Sequence, residues 1–426
     1  MKLKYGKGFI DIETPPDFLG SIVPVVHKVD PVETLLKESF MDPVGLARLK
    51  DAVRRNRPHD VVVLVSDRTR DIANYEQILS FLVEELVDAG VDERNIEFVV
   101  ALGTHHQHTP EDNERIYGAL TRDFRITQHD CQGDTVSIGR TSTGLDVRVN
   151  RRVQEADYVV ATGRVDFHYF AGYSGGRKSV LPGIASYDTI RNNHKKLTRD
   201  GVWIAQLHGN IIAREMAEAA DLLGLDYLIN VVETPDGNTE RVFCGHYVHA
   251  FEEAVKYLSS ARRVTIKERA DCLVVSAGGF PNDRDFYHTQ KSMNLAIAAL
   301  KENGSIILIG QCEEGFGNEK FLQLMLGHEL DSLLQFSEEK IDVGGHRAFV
   351  TARILKQHKV YALTSLDAEL LRGIHFMPIQ RIEQGFTAVK KEKGTGFKTI
   401  IVPNGRSALP LLNGKTDAFD HLGGLR

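Results

Sequence analysis

The chain has 426 residues, enough for two or three domains with sizeable cores. Its formal net charge of −6 and pI near 6.3 argue against a nucleic-acid-binding role. No apolar run reaches the roughly 18 residues of a membrane helix, and the basic start Met1-Lys-Leu-Lys lacks the apolar stretch of a signal peptide, so a cytoplasmic protein is expected.

Strand-like and helix-like runs alternate along the first half. Val61 to Val65 reads as a buried strand, Tyr75 to Ala89 as an amphipathic helix and Ile96 to Ala101 as a second strand. A helix start at Pro110, capped by Thr109, precedes a third strand at Tyr158 to Ala161. Helix Ile211 to Leu223, strand Asp226 to Val232 and helix Tyr247 to Leu258 follow. The stretch Val264 to Ala270 reads as a boundary. Beyond it come strand Cys272 to Ser276, helix Phe286 to Leu300, strand Ile306 to Ile309, helix Ala348 to His358, and strands Val360 to Leu363 and Thr399 to Val402. The repeated β-loop-α pattern predicts an α/β protein: two α/β domains with largely parallel sheets and an active-site cleft between them. The expected division is 1–268 for cofactor binding and catalysis, 269–406 for a C-terminal α/β domain, and a tail at 407–426 packing back on the first domain. The four cysteines, Cys131, Cys244, Cys272 and Cys312, are scattered without a CxxC and are expected to be reduced thiols.

Three polar segments each follow a predicted strand: Ser66-Asp67-Arg68-Thr69-Arg70, Gly103-Thr104-His105-His106-Gln107-His108-Thr109, and Gly163-Arg164-Val165-Asp166-Phe167-His168. Ligands of open α/β sheets bind beyond the carboxyl ends of the strands. The three loops therefore converge on one site if their strands are neighbours. Read singly, the first has the alternative of an Asp/Arg surface turn, and the second that of a turn into a capped helix, although a cap does not call for three histidines.

The densest stretch runs from His168 through Tyr173-Ser174-Gly175-Gly176-Arg177-Lys178 to Pro182-Gly183 and closes at Asn193-His194. Glycines let backbone N–H groups approach an anion, a lysine beside them can pair with it or act as a nucleophile, and histidines move protons or hold metals. Gly172 to Ser179 nearly matches a P-loop, but Arg177 stands where glycine is required. A phosphate is expected at the Ser174-Gly175-Gly176 turn, where small residues leave N–H groups open. A nucleotide-dependent transferase and a non-enzymatic two-domain small-molecule binding protein are the competing readings. In the second half, Tyr287 and Lys291 lie four apart, on one face of a helix, as a clamp for a carboxylate; His346-Arg347 is a further basic pair at a helix start.

Together these motifs resemble the lactate racemase family, whose enzymes use a lysine-tethered nickel-pincer nucleotide. The likeness covers nearly the whole chain: Asp67-x-Thr69-Arg70, Gly103-Thr104-His105, His168 to Lys178, Pro182 to Ala185, Asn193-His194, and Gly278-Gly-Phe-Pro-x-Asp283 with Tyr287 and Lys291. The resemblance implies a racemase or epimerase of 2-hydroxy acids working by hydride abstraction and return at C2. It assigns Lys178 the thioamide tether to a pyridinium-3,5-bisthiocarboxylic acid mononucleotide and His194 the nickel ligand. His105 and His168 become the acid/base pair, and Arg70, Tyr287 and Lys291 the substrate binders. Asp67, Thr69, Ser174, Gly175 and Gly176 approach the nucleotide. It also implies dependence on cofactor-building enzymes, and it leaves the oligomeric state open. Two departures bear on the substrate. Asp71-Ile-Ala-Asn74 stands where the family has a proline, and the only tryptophan, Trp203, lies in the first half rather than beside the polar His346-Arg347. A larger or more polar acid than lactate is expected, with lactate itself as the alternative.

Overall fold

A computed structural model of the protein describes residues 1–15, 17–26, 28–336 and 345–413. The chain forms two compact units: 26–258, and a second made of 1–25 together with 259 onward.

The unit at 26–258 is built on a six-stranded sheet in the order Thr239–Gly245, Tyr227–Glu233, Tyr158–Arg164, Val61–Val65, Ile96–Val100, Arg125–Gln128. Every neighbouring pair is parallel except the edge pair Tyr227–Glu233 with Thr239–Gly245. The strands Val61–Val65 and Ile96–Val100 are buried at every position, as sheets covered by helices on both faces require. Their apolar side chains share a core with Ile78, Leu79, Leu82 and Leu86 of the helix Tyr75–Asp88. A separate hairpin pairs Thr135–Arg140 with Asp146–Asn150.

The other unit carries a six-stranded sheet, parallel throughout: Met377–Ile379, Lys359–Leu363, Leu300–Ile309, Ala270–Ser276, Thr399–Val402 and Phe18–Ser21. Its core joins Leu3 and Ile12 to Val274, Ile307, Ile309 and Ile401. The first 25 residues thus belong with the C-terminal half, because Phe18–Ser21 hydrogen-bonds to Thr399–Val402, and not with the first domain as expected. The stretch read as a boundary overlaps a strand, Arg263–Ile266, which pairs with Leu409–Leu412 within this same unit. The described part of the expected tail, which carries Leu409–Leu412, therefore packs in this unit and not back on the first domain as expected, while 414–426 lie outside the described residues.

One expected helix is not continuous. Phe286 to Ala299 is a series of single turns, Phe286–Thr289, Gln290–Ser292, Met293–Ala296 and Ile297–Ala299, and Leu300 opens a strand. The segment from Thr289 on is buried almost all round, polar residues included, so it has no solvent face to set a helical period. The helix Ile382–Lys393 was not anticipated from the sequence.

Among the described residues no helix is long and apolar enough to cross a membrane. The four cysteines are unpaired.

Candidate functional site

The strands Tyr158–Arg164, Val61–Val65 and Ile96–Val100 are consecutive in their sheet, so the condition for convergence of the three polar loops is met. After Val65 the chain makes a single turn, Arg68–Arg70, capped by Asp67. One oxygen of the Asp67 carboxylate accepts hydrogen bonds from the Thr69 N–H and hydroxyl, both at 2.6 Å; the other lies 2.9 Å from Nδ1 of His105. Burial alone would raise the Asp67 pKa. The hydrogen bond from His105, with Arg70 and Thr69, overcomes that and holds the carboxyl well below the usual range. With Nδ1–H donating to Asp67, the lone pair of His105 is on Nε2, the form a general base requires.

The histidines of the second loop divide. His108 is buried and committed: its Nε2 accepts the Arg68 N–H at 2.9 Å, and its Nδ1 meets Asn113 Oδ1 at 2.9 Å. The expected cap is present, with Thr109 and Asp112 exchanging bonds. The Gly103 N–H donates to Gly183 O at 2.8 Å, so the Pro182-Gly183 turn fastens the root of the His105 loop.

His168 sits on a two-residue pairing, Phe167–His168 with Gly172–Tyr173. Its Nδ1 accepts the Ala171 N–H at 3.2 Å and its Nε2 lies 2.9 Å from Nζ of Lys178. Lys178 is 4% exposed, and its ammonium form is opposed by burial and then by the charges of Arg70 and Arg177, which hold its pKa well below the lysine range. The Phe170 ring joins the group: its centroid is 4.5 Å from the His168 ring, 5.4 Å from Lys178 Nζ and 4.8 Å from the His194 ring. His194 ends the helix Tyr187–His194; its Nδ1 lies 3.1 Å from Asn193 Oδ1, and Asn193 in turn donates to Glu215 at 2.8 Å. That chain orients the imidazole so that Nε2 carries the lone pair.

The glycine turn differs from expectation. The Ser174 N–H donates to Asp166 O at 2.8 Å and the Gly176 N–H to Asn230 Oδ1 at 2.9 Å, so these two groups are engaged within the chain rather than open to a phosphate. The Ser174 hydroxyl is also used, donating to Arg164 O and accepting from the Asp166 N–H. Glycine is required here by crowding: a Cβ at Gly176 would stand 1.8 Å from Leu228 Cδ1, and Gly175 has φ +114°. Asn230 and Glu215 were not found in the sequence, because each acts from a distant element and carries no local motif.

In the other unit, Lys291 Nζ stands 4.8 Å from the Tyr287 ring centroid and Arg347 Cζ 5.8 Å from the same ring. The expected juxtaposition of Tyr287 and Lys291 holds even though two kinds of helical turn separate them. Lys291 is displaced well below the lysine range by burial, then by Arg347 and Arg406. His288, also missed, donates from Nδ1 to Asp285 at 2.7 Å, yet burial pushes its pKa down to about 4. The replacement segment Asp71 to Asn74 is held by Arg164 to Asp71 O at 3.0 Å and by the Ala73 N–H to Glu233 at 2.8 Å.

These residues fit the tethered metal nucleotide. Among the described residues no group of three or more His, Cys, Asp or Glu could hold a metal by itself; His194, whose Asn193 contact is on Nδ1, offers a single ligand atom, Nε2. The guanidinium of Arg177, 4% exposed and 3.9 Å over the Phe251 ring, has no hydrogen-bond partner among the described residues. Burial lowers its pKa only to about 9, so it stays charged and calls for an anion such as a nucleotide phosphate.

Comparison with known proteins identifies the family. Residues 5–202 match the model of the lactate racemase N-terminal domain and 265–409 that of the lactate racemase C-terminal domain. The chain is 28% identical to a lactate racemase of Thermoanaerobacterium thermosaccharolyticum, over 96% of this chain and 98% of that one. It is 31% identical to the lactate racemase of Lactiplantibacillus plantarum, over 89% and 91% respectively. The solved apoprotein of the T. thermosaccharolyticum lactate racemase superposes with a TM-score of 0.90 at 26% identity, covering 96% of this chain and 99% of that one. A Thermotoga maritima protein at 18% identity and a TM-score of 0.61 shares the fold. By domain content, sequence and architecture, the chain belongs to the lactate racemase family.

Proposed function

We propose that this protein is an isomerase that racemises or epimerises 2-hydroxy acids at C2, with a lysine-tethered nickel-pincer nucleotide. The observation that carries the reading is the group Lys178, His168, Phe170 and His194, gathered on one unit of a chain whose two halves both match lactate racemase domains. Lys178 would carry the tether, His194 the nickel, and Asp67, Thr69 and the Ser174-Gly175-Gly176 turn would neighbour the nucleotide. When bound, the cofactor supplies the electron sink that takes the C2 hydrogen as hydride and returns it.

The side chains supply the rest. One histidine of the pair His105 and His168 takes the C2 hydroxyl proton as the substrate passes to the keto level. The other returns a proton when the opposite enantiomer is made, so both are needed in each direction. Asp67 keeps His105 in the productive tautomer. Arg70 on one unit, and the pair Tyr287 and Lys291 on the other, each offer groups suited to the carboxylate common to all 2-hydroxy acids. Arg347, beside the Tyr287 ring, supports a preference for an acid bearing a further hydroxyl or carboxylate. One charge-assisted bond of about 1.5–3 kcal/mol gives a tenfold to hundredfold preference over a bare methyl.

The test uses enzyme matured together with the cofactor-building enzymes. Intact mass is expected to show an adduct that Lys178→Ala loses, and a panel of 2-hydroxy acids should rank a polar acid above lactate. An adduct that survives Lys178→Ala removes the tether assignment. A panel led by lactate, or a ranking unmoved by His346→Ala and Arg347→Ala, removes the substrate assignment.

A further inference from the structure

The hydrogen bonds around His168 fix more than its orientation. A backbone N–H can only donate, so the Ala171 N–H at 3.2 Å makes Nδ1 of His168 an acceptor. A neutral imidazole with Nδ1 as acceptor carries its single proton on Nε2. That nitrogen faces Nζ of Lys178 at 2.9 Å. The bond between them then runs from Nε2–H to the lysine, and an amine accepts a hydrogen bond only through a free lone pair. An ammonium group has none.

We infer that, before any cofactor is attached, Lys178 is held as an uncharged, nucleophilic amine by the Nε2–H of His168, so that this chain forms its own cofactor tether without a separate ligating protein. The inference rests on the family reading for the identity of the tether, but not for the state of the amine. The surroundings agree: Lys178 is 4% exposed, and the charged groups acting on it are Arg70, from the turn after Val65, and Arg177, from its own turn. Both are cations. A second ammonium there would be destabilised by burial and by like charge together.

The attachment then needs no added redox partner. Nζ bonds to the carbon of one thiocarboxylic acid group of the nucleotide. The C–O bond breaks, and the oxygen departs as water with one amine hydrogen and the acid hydrogen, the second amine hydrogen remaining on the thioamide nitrogen. Sulfur remains on carbon, and no oxidation state changes. His168 Nε2–H is placed to donate to the departing oxygen and recover its proton from the attacking amine. Once Nζ has become a thioamide nitrogen it no longer competes for His168. The histidine is thereby released to the substrate, where its Nε2–H can return a proton; to act as base at Nε2 it must first carry its proton on Nδ1 and give up the Ala171 N–H.

The test is a titration of the full chain produced without the cofactor-building enzymes. Lysine ε-carbons are isotopically labelled and the Lys178 resonance is assigned by its loss in Lys178→Met. The expected result is an uncharged Lys178 at pH 7 while exposed lysines such as Lys256 remain charged. His168→Gln, whose amide oxygen can turn towards the lysine and accept, should raise the Lys178 midpoint by roughly one pH unit, the scale of one hydrogen bond. An ammonium signal for Lys178 at pH 7, or a midpoint unmoved in His168→Gln, overturns the inference. The nickel-free pyridinium bisthiocarboxylic acid mononucleotide is then added to the purified chain and the adduct followed by intact mass. An adduct on Lys178 that forms more slowly in His168→Gln supports self-attachment, and no adduct without added protein overturns it. If Lys178 is uncharged but the adduct forms on another residue, the tether assignment falls while the state of the amine stands.

Discussion

Asp67→Asn is the sharpest perturbation of the proposed acid/base chemistry, because it changes one proton and almost no volume. The Asp67 side chain is 2% exposed and gives one oxygen to Thr69, through two bonds at 2.6 Å, and the other to His105 Nδ1 at 2.9 Å. In the variant, the amide oxygen can keep both Thr69 bonds. The amide nitrogen then faces His105, and as a donor it demands a lone pair on Nδ1. The imidazole proton moves to Nε2, the nitrogen that has to accept the substrate's proton. A positioned general base is worth about 10²–10⁴ in rate, so the wrong tautomer should cost about 3–5 kcal/mol of transition-state stabilisation. The loss should fall on kcat in both directions of racemisation, since each direction uses both histidines. The assay is racemisation by cofactor-loaded enzyme, followed by chiral chromatography, with adduct mass and unfolding midpoint measured on the same sample. A variant that folds, carries a full adduct and keeps kcat within threefold of the parent refutes the argument that Asp67 sets the state of His105.

The remaining expectations concern the metal and the pH range of stability. His194→Ala should lose most of its nickel while keeping the tethered nucleotide, because the lysine bond is separate from the imidazole held by Asn193; metal analysis showing full nickel would remove His194 as a ligand. His358 donates from Nδ1 to Gly304 O at 3.2 Å, its Nε2 has no hydrogen-bond partner among the described residues, and burial pushes its pKa down to about 4. A histidine with a lowered folded pKa contributes stability above the unfolded value of about 6.5, and that contribution is lost as pH falls towards about 4. The loss is up to about 3 kcal/mol. Urea unfolding between pH 7.5 and 4.5 should therefore show a smaller pH dependence in His358→Gln, and an identical slope would refute it; His288, shifted the same way, leaves part of the slope behind.

What could be read from the sequence follows from where the forces are local. Val61–Val65 and Ile96–Val100 were legible because a strand covered on both faces needs an unbroken apolar run. The loops after them were legible because Asp67 and His105 sit one short turn past those runs, and His168 just past Tyr158–Arg164, where such sheets bind ligands. The supporting residues were not. Asn230 closes the Gly176 N–H from a strand more than fifty residues away, and Glu215 reaches Asn193 from another helix. Neither position has a pattern that its neighbours impose. Ser174 and Gly176 show the limit in the other direction: small residues do free the backbone sterically, but which acceptor takes the N–H is a tertiary matter. Phe286 to Ala299 has a helical composition, and burial of Gln290, Ser292 and Asn294 breaks it into turns.

The pairing of Phe18–Ser21 with Thr399–Val402 makes one unit an insertion within the other. During synthesis, residues 26–258 leave the ribosome as a contiguous block and can close their sheet at once. The strand at Phe18–Ser21, though made earlier, waits without its neighbour until nearly the whole chain has emerged. An edge left open that long is a template for pairing with other chains, so translation speed and chaperone capture matter more for the C-terminal unit than for the one that holds Lys178. Removing the first 25 residues would accordingly leave the lysine's own sheet intact and strip an edge strand from the unit encoded at the far end of the gene.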